Sequence, residues 1–156
     1  TSLCLRWLDQ NIDYSDDRHH TLLDYGCGSG ILAIAACLLG IAHADGVDID
    51  PQALTATYDN ANTNRVTEKV TTFLPDDYQR QHAATQYDIV VANILSGPLA
   101  ELAPMLASHT KTGGDIVLSG ILKEQAESLL DTYSTFFHMD EPRYEEEWTL
   151  LHGIKK

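Results

Sequence analysis

Apolar residues recur along the chain in two alternating periods, one helical and one strand-like, so helices and strands are expected in alternation rather than in separate blocks. Leu3, Cys4, Trp7 and Leu8 share one face of an opening helix. Residues 13–20 are polar and read as a connector. Residues 21–24 then read as a short buried strand, followed by a glycine loop at 26–30. A helix over residues 31–39 follows, with Gly40 as its natural stop. Residues 44–48 form a second predicted strand. Asp50 caps a third helix, with Pro51 at its first position, where the missing N–H costs nothing. Further strands are predicted at 70–74, 87–92 and 116–119, with helices at 97–109 and 121–134. Beyond Phe136 the rhythm changes. Pro142-Arg143 and then Trp148, Leu150, His152 and Ile154 alternate without a helix between them, so the sheet should close with an antiparallel hairpin. The pattern predicts one α/β domain with a doubly wound, mostly parallel sheet.

Charge narrows what such a domain binds. The 156 residues carry 10 Lys+Arg against 23 Asp+Glu, a formal charge of −13. Phosphates would be repelled, which argues against nucleic acid or an anionic membrane as the direct partner. The longest apolar run, residues 31–42, is too short to span a bilayer. Cys4, Cys27 and Cys37 form no CxxC pair and sit in apolar or glycine-rich company, so they read as reduced thiols of a cytoplasmic protein. Seven histidines are scattered without metal-ligand spacing and read as surface residues, so no metal is expected. No targeting segment is visible. The chain starts at Thr1 and runs straight into an amphipathic pattern, which reads as a piece of a longer protein.

The most informative stretch is Leu22-Leu23-Asp24-Tyr25-Gly26-Cys27-Gly28-Ser29-Gly30. Glycines at 26, 28 and 30 between a strand and a helix let the backbone turn tightly and approach a ligand. Asp48 ends the next strand, where a carboxylate can accept both vicinal hydroxyls of a ribose. Glycines and acid together describe a nucleoside-cofactor site. A dinucleotide fingerprint needs glycine at 31, and Ile31 stands there. Asp24 would sit poorly beside a pyrophosphate and well beside a cationic amino-acid tail. These charges favour S-adenosylmethionine, which carries a ribose, an ammonium and a sulfonium and no phosphate. Asp50 reads as a helix cap rather than a ribose ligand.

A second signal is the apolar strand that ends at Asn93 and runs on through Ile94-Leu95-Ser96-Gly97-Pro98. A polar residue at the carboxyl end of a strand faces the ligand crevice of an open α/β sheet. Its amide oxygen can accept a hydrogen bond from an amino nucleophile, although an Asn in this position is also a common turn former.

LLDYGCGSGILAIAA, GVDIDPQAL, VVANILSGPL and LSGIL, in this order, together with the opening TSLCLRWL, resemble the ribosomal protein L-eleven (L11) methyltransferase family. The likeness runs from Thr1 to the region of Trp148. It implies a class I methyltransferase fold: a seven-stranded Rossmann-like sheet in the order 3-2-1-4-5-7-6. It also implies methyl transfer from S-adenosylmethionine to lysine side chains and the N-terminal amine of a large-subunit ribosomal protein. The cofactor contacts it implies fall on Thr1, Gly26, Asp48 and Asn93, beside Asp24, Gly28 and Gly30 of the loop. Residues 1–156 would then be the catalytic domain, with the substrate-recognition domain outside this chain. Ile94, Leu95 and Ser96 replace the N-P-P-Y stretch of relatives that methylate planar amides or bases, which argues for an aliphatic amine.

Asn93 is the expected catalytic residue, orienting an amine whose proton has gone to solvent. Two rival readings are a methyltransferase of another protein or small amine, and an NAD-type or non-catalytic nucleotide-binding domain. Four further expectations concern the remainder of the chain. The 145–147 glutamates are an exposed charge run, Trp148 packs in a core or hairpin, Asp76-Asp77 form a turn, and Cys27 is only a small loop residue.

Overall fold

The computed structural model describes residues 1–13, 15 and 19–156. Part of the predicted connector, residues 14 and 16–18, therefore lies outside the described residues. The chain opens with α1 (Ser2–Asn11), then β1 (Thr21–Tyr25), α2 (Ile31–Leu39), β2 (His43–Val47), α3 (Pro51–Thr63) and β3 (Val70–Phe73). It continues through α4 (Pro75–His82), β4 (Tyr87–Asn93), α5 (Ser96–Ser108), β5 (Thr110–Leu122) and α6 (Ala126–Ser134). Three strands close it: β6 (Phe137–Met139), β7 (Arg143–Glu145) and β8 (Trp148–Lys155). They form one mixed sheet in the order β3-β2-β1-β4-β5-β8-β6, with β7 also paired to β8. Strands β1 to β5 run parallel, and β8 is antiparallel to β5, β6 and β7.

With β8 counted as the seventh strand, this is the order 3-2-1-4-5-7-6 that the resemblance implied. The expected closing hairpin is the pair β7–β8, whose tight turn places Glu146 at φ 57°. The short β7 is an eighth strand beyond the expected seven.

Consecutive apolar residues in the strands serve both faces of the sheet. Leu23, Val90, Ala92, Ile116, Leu118 and Leu151 pack with Tyr78 of α4, Leu99 and Leu106 of α5, and Leu129 of α6. Their neighbours Leu22, Ile89, Val91, Val117 and Leu150 pack on the other side with Trp7 and Leu8 of α1 and with α2. The sheet is thus wound on both faces, and strand order reverses between β1 and β4. In such sheets the crevice beyond the carboxyl ends at this reversal is where ligands bind.

Two elements differ from the sequence expectation. Asp76 and Asp77 lie in the first turn of α4, where their charges suit the positive end of the helix and Asp77 pairs with Arg80. Residues 121 and 122 extend β5 rather than open a helix, and they pair with Thr149 and Trp148. Apolar Ile121-Leu122 fits a strand end as well as a helix start, so periodicity alone could not separate the two.

The histidines are not all on the surface. His109 is buried and contacts the Tyr78 hydroxyl at 3.3 Å and the Thr85 carbonyl at 2.7 Å through Nδ1. His152 lies between two carboxylates, Asp115 at 2.8 Å and Asp140 at 2.6 Å. A neutral imidazole has one N–H, so two carboxylate acceptors favour the imidazolium. Burial opposes that charge, and the two aspartates outweigh it and raise the His152 pKa. Among the described residues no group of side chains could hold a metal ion, and no helix is long and apolar enough to cross a membrane.

Candidate cofactor and acceptor site

The glycine loop leaves β1 with φ of 82°, 54° and 82° at Gly26, Gly28 and Gly30, the left-handed region that side chains resist. Its first two amides, of Gly26 and Cys27, donate to the Val47 carbonyl at 2.7 and 3.0 Å, which docks the loop onto the end of β2. Helix α3 holds the loop from the other side. Thr57 Oγ1 donates to the Gly28 carbonyl at 3.0 Å, and Asn60 Nδ2 donates to that of Ser29 at 2.9 Å. A Cβ on Gly30 would lie 2.6 Å from Thr57 Cγ2, whereas one on Gly28 would meet nothing within 4 Å. The loop is therefore tight beneath and open above Gly28.

Asp48 follows β2 and locks the loop to its strand. One carboxylate oxygen accepts the Gly28 N–H at 2.9 Å, and the other accepts the Asp50 N–H at 3.0 Å. Asp50 caps α3 as expected, accepting the Gln52 N–H at 2.9 Å. The Asp48 carboxylate is thus pre-oriented, and each oxygen keeps a lone pair for a hydroxyl donor. Next to it Ile49 is 83% exposed, an apolar surface at the cofactor site that sequence reasoning passed over.

Asp24 is only 1% exposed, and the Ala33 N–H, the one donor near its carboxylate, stands short of hydrogen-bond geometry to either oxygen. Burial pushes its pKa up to about 7; the Ala33 amide partly offsets this, and the Asp48 charge adds to it. An unpartnered buried carboxyl beneath the loop is a costly feature for a fold to keep. It fits a ligand that brings positive charge. A dinucleotide pyrophosphate would sit on the loop amides and needs glycine at the position of Ile31, and the buried Asp24 carboxyl would oppose its charge. The donor set therefore suits S-adenosylmethionine and not a dinucleotide. The Cys27 thiol is buried, and desolvation pushes its pKa up to about 12, which leaves little thiolate to act as a nucleophile.

Beside the loop lies a cavity of about 500 Å³. Asn93 and Thr1 share it, and Asn93 Nδ2 donates to Thr1 Oγ1 at 2.9 Å. That bond turns the amide so that its oxygen is left for another donor. Ile94 separates the cavity from the loop: a Cβ on Gly26 would strike Ile94 Cγ2 at 2.3 Å. All the predicted site residues thus gather at the carboxyl edge, in two adjoining groups. Thr1 and Asn93 line the cavity, while Gly26, Gly28, Gly30 and Asp48 form the loop site, with Asp24 beneath it.

The structure adds residues that the sequence reading did not assign. Ser119, Gly120, Glu145 and Trp148 line the same cavity. Trp148 stands on the expected hairpin, paired with Glu145, but at 44% exposure it forms a wall of the cavity rather than packing in a core. Glu145 is likewise part of the cavity rather than of a merely solvated run. Ser119 is committed to the fold, its hydroxyl donating to the Thr149 carbonyl at 2.9 Å. Gly120 has φ 85°, and a Cβ there would lie 2.5 Å from the Ile94 carbonyl oxygen. The LSGIL motif was the available signal for Gly120.

Gly120→Ala is accordingly expected to cost roughly 2–5 kcal/mol, from left-handed strain plus a backbone clash. Gly28→Ala should cost only about 1–2 kcal/mol, from strain alone. Urea unfolding of the two variants checks the difference.

Strand order, glycine loop and acidic strand end together define a domain of the class I methyltransferase fold. Solved structures agree. A ribosomal protein L11 methylase from Lactobacillus delbrueckii subsp. bulgaricus superposes with TM-score 0.84 at 29% identity, covering 100% of this chain and 78% of that one. An RNA methyltransferase from Salinibacter ruber, in complex with S-adenosyl-L-homocysteine, gives TM-score 0.75 at 20% identity over 100% of this chain and 92% of that one, a likeness of fold. The sequence model of ribosomal protein L11 methyltransferase (PrmA) matches residues 1–156, and the chain belongs to that family. Curated L11 methyltransferases of Chromobacterium violaceum and Shewanella sediminis are 53% and 50% identical over all 156 residues. Those matches cover 49% and 51% of the relatives, so the chain spans about half their length.

Proposed function

We propose that the chain is the catalytic part of an S-adenosylmethionine-dependent protein N-methyltransferase. Its acceptors are lysine side-chain and N-terminal amino groups of ribosomal protein L11. Recognition of that protein rests mainly on a domain outside this chain, and the enzyme works in the cytoplasm without contacting nucleic acid or membrane directly. The observation that carries the reading is the pairing of an Asn93-lined cavity with a glycine loop flanked only by carboxylates. The family relationship supports the methyl acceptor.

Asp48 would hold the ribose of the cofactor, and the open face of Gly28 would let it approach the backbone. Asp24 would balance its positive charge. Thr1 and Asn93 would border its reactive end. Bound there, S-adenosylmethionine would supply a methyl group on a sulfonium, whose sulfur departs as a neutral thioether and needs no protonation.

What remains for the protein is to present a neutral amine within about 3–3.5 Å of the reacting carbon and in line with the breaking bond. An unperturbed lysine, with a pKa of about 10.4, is almost wholly protonated at neutral pH. Ile94, Leu95 and Trp148 desolvate the amine and lower that pKa, so the proton passes to solvent before attack. The Asn93 amide oxygen, set by Thr1, then accepts one remaining N–H and aims the lone pair. Repeated methylation needs room, and the small Ser119 and Gly120 of the cavity wall leave it.

Asn93→Ala is expected to lower methyl transfer to L11 by about 10²-fold, the scale of losing one well-aimed hydrogen-bonding group. Mass spectrometry of L11 after incubation with S-adenosylmethionine counts the added methyl groups. Undiminished transfer with normal cofactor binding would remove Asn93 from the mechanism.

A further inference from the structure

We propose that Glu145 is the docking point for the charged end of an aliphatic primary amine, and that Arg6 occupies it until the amine arrives. The inference rests on the amine-methylation reading and extends it to how the acceptor is caught. Glu145 is the only acidic or basic side chain among those lining the Asn93 cavity. The β7–β8 hairpin places it at one wall, opposite Trp148 in the strand register. Its Oε1 lies 3.1 Å from the Arg6 guanidinium and 3.5 Å from Ser2 Oγ, both on α1. Both contacts fall on the one oxygen, which leaves Oε2 for a further donor.

The Arg6 side chain is 64% exposed and that of Glu145 32%. A pair this open to water is weak, so an incoming ammonium can displace the guanidinium at little cost. Arg6 itself does not line the cavity, so its departure leaves the walls in place. Leu3, Leu95 and Trp148 offer apolar surface to a methylene stem, as long cationic side chains prefer. The exposed Glu146 and Glu147 beside the hairpin add negative potential that draws cations to this mouth. Glu145 therefore collects the amine in its abundant charged form. Asn93, in the same cavity, takes the scarce neutral form that reacts.

The test uses n-butylammonium as the probe and the intrinsic fluorescence of the chain, which has two tryptophans. Trp7 is buried at 2% exposure, and Trp148 lies in the cavity wall, so a change that disappears in Trp148→Phe reports on the cavity. Saturable binding of n-butylammonium, and none of n-butanol, is expected. Glu145→Gln should raise the Kd about fivefold or more, and Arg6→Gln should lower it about two- to fivefold, because the internal competitor is gone. Glu127→Gln, an equal charge change on the exposed face of α6, should leave it as it was.

Equal affinity in the native chain and Glu145→Gln overturns the proposal. So does weaker binding in Arg6→Gln, which also decides the matter if Glu145→Gln does not fold. The probe binds without a methyl donor, so these results are read apart from catalysis. Intact amine binding with no methyl transfer to any amine would overturn the proposed function and leave the docking point standing.

Discussion

Asp48→Ala is expected to weaken S-adenosylmethionine binding by about 10²–10⁴-fold, the scale of two hydrogen bonds to a charged acceptor at about 1.5–3 kcal/mol each. The loss has two sources. The ribose hydroxyls lose their acceptor, and the loop loses the anchor between Gly28 and Asp50. Asp48→Asn separates them, because an amide keeps one acceptor oxygen and removes the charge. It should fall between the native chain and alanine in affinity. Equilibrium dialysis with labelled cofactor measures all three. A change below about threefold in Asp48→Ala would show that this carboxylate is only a loop anchor.

Asp24→Asn is expected to move stability and cofactor binding in opposite directions. The Asp24 carboxyl is buried without a partner, with its pKa pushed from 3.8 to about 7. Between those two values the folded state holds a proton that the unfolded state has released. The contribution of this group to stability therefore falls as pH rises through that window, and the full cost is reached above about 7. Asparagine carries no such charge. The variant should gain on the native chain by roughly 2–4 kcal/mol between pH 4 and pH 7, at about 1.4 kcal/mol per unit.

Cofactor binding should show the reverse. A cationic ligand favours ionised Asp24, so binding to the native chain releases a proton near pH 7, and the asparagine variant binds more weakly. Urea titrations at several pH values, and binding heats in buffers of different ionisation enthalpy, read the two effects. A stability difference that stays flat with pH would contradict the assignment of a raised pKa. The group is then an example of stability given up at a functional site.

How much of this was legible in the sequence follows from the range of the interactions involved. The glycine loop and the Asp50-Pro51 cap are local features, and their residue types admit few other backbone shapes. Both stand where the sequence reading put them. The βα rhythm and the final hairpin were legible because buried parallel strands and alternating edge strands differ in pattern. Helix α4 was missed because PDDYQRQH carries a single core residue, Tyr78, and so shows almost no apolar stripe. The extension of β5 through Leu122 depends on pairing with β8, a partner far along the chain.

Site residues divide in the same way. Asp48 and Asn93 end apolar strands, and their position at the carboxyl edge follows from topology. Glu145 and Trp148 reach the cavity only because a two-residue turn folds β7 onto β8. Cavity walls assembled from four distant segments leave no local trace. The burial of Asp24 was not legible either: its charge was visible, but its depth depends on how the loop closes over it.

The central claim is that this site holds S-adenosylmethionine, and calorimetric titration of the chain tests it most directly, with NADH titrated in parallel. Saturable binding of S-adenosylmethionine and none of NADH is the result expected from a loop with a buried, unpartnered Asp24 beneath it and Ile31 in place of the third dinucleotide glycine. Binding of NADH alone would contradict it.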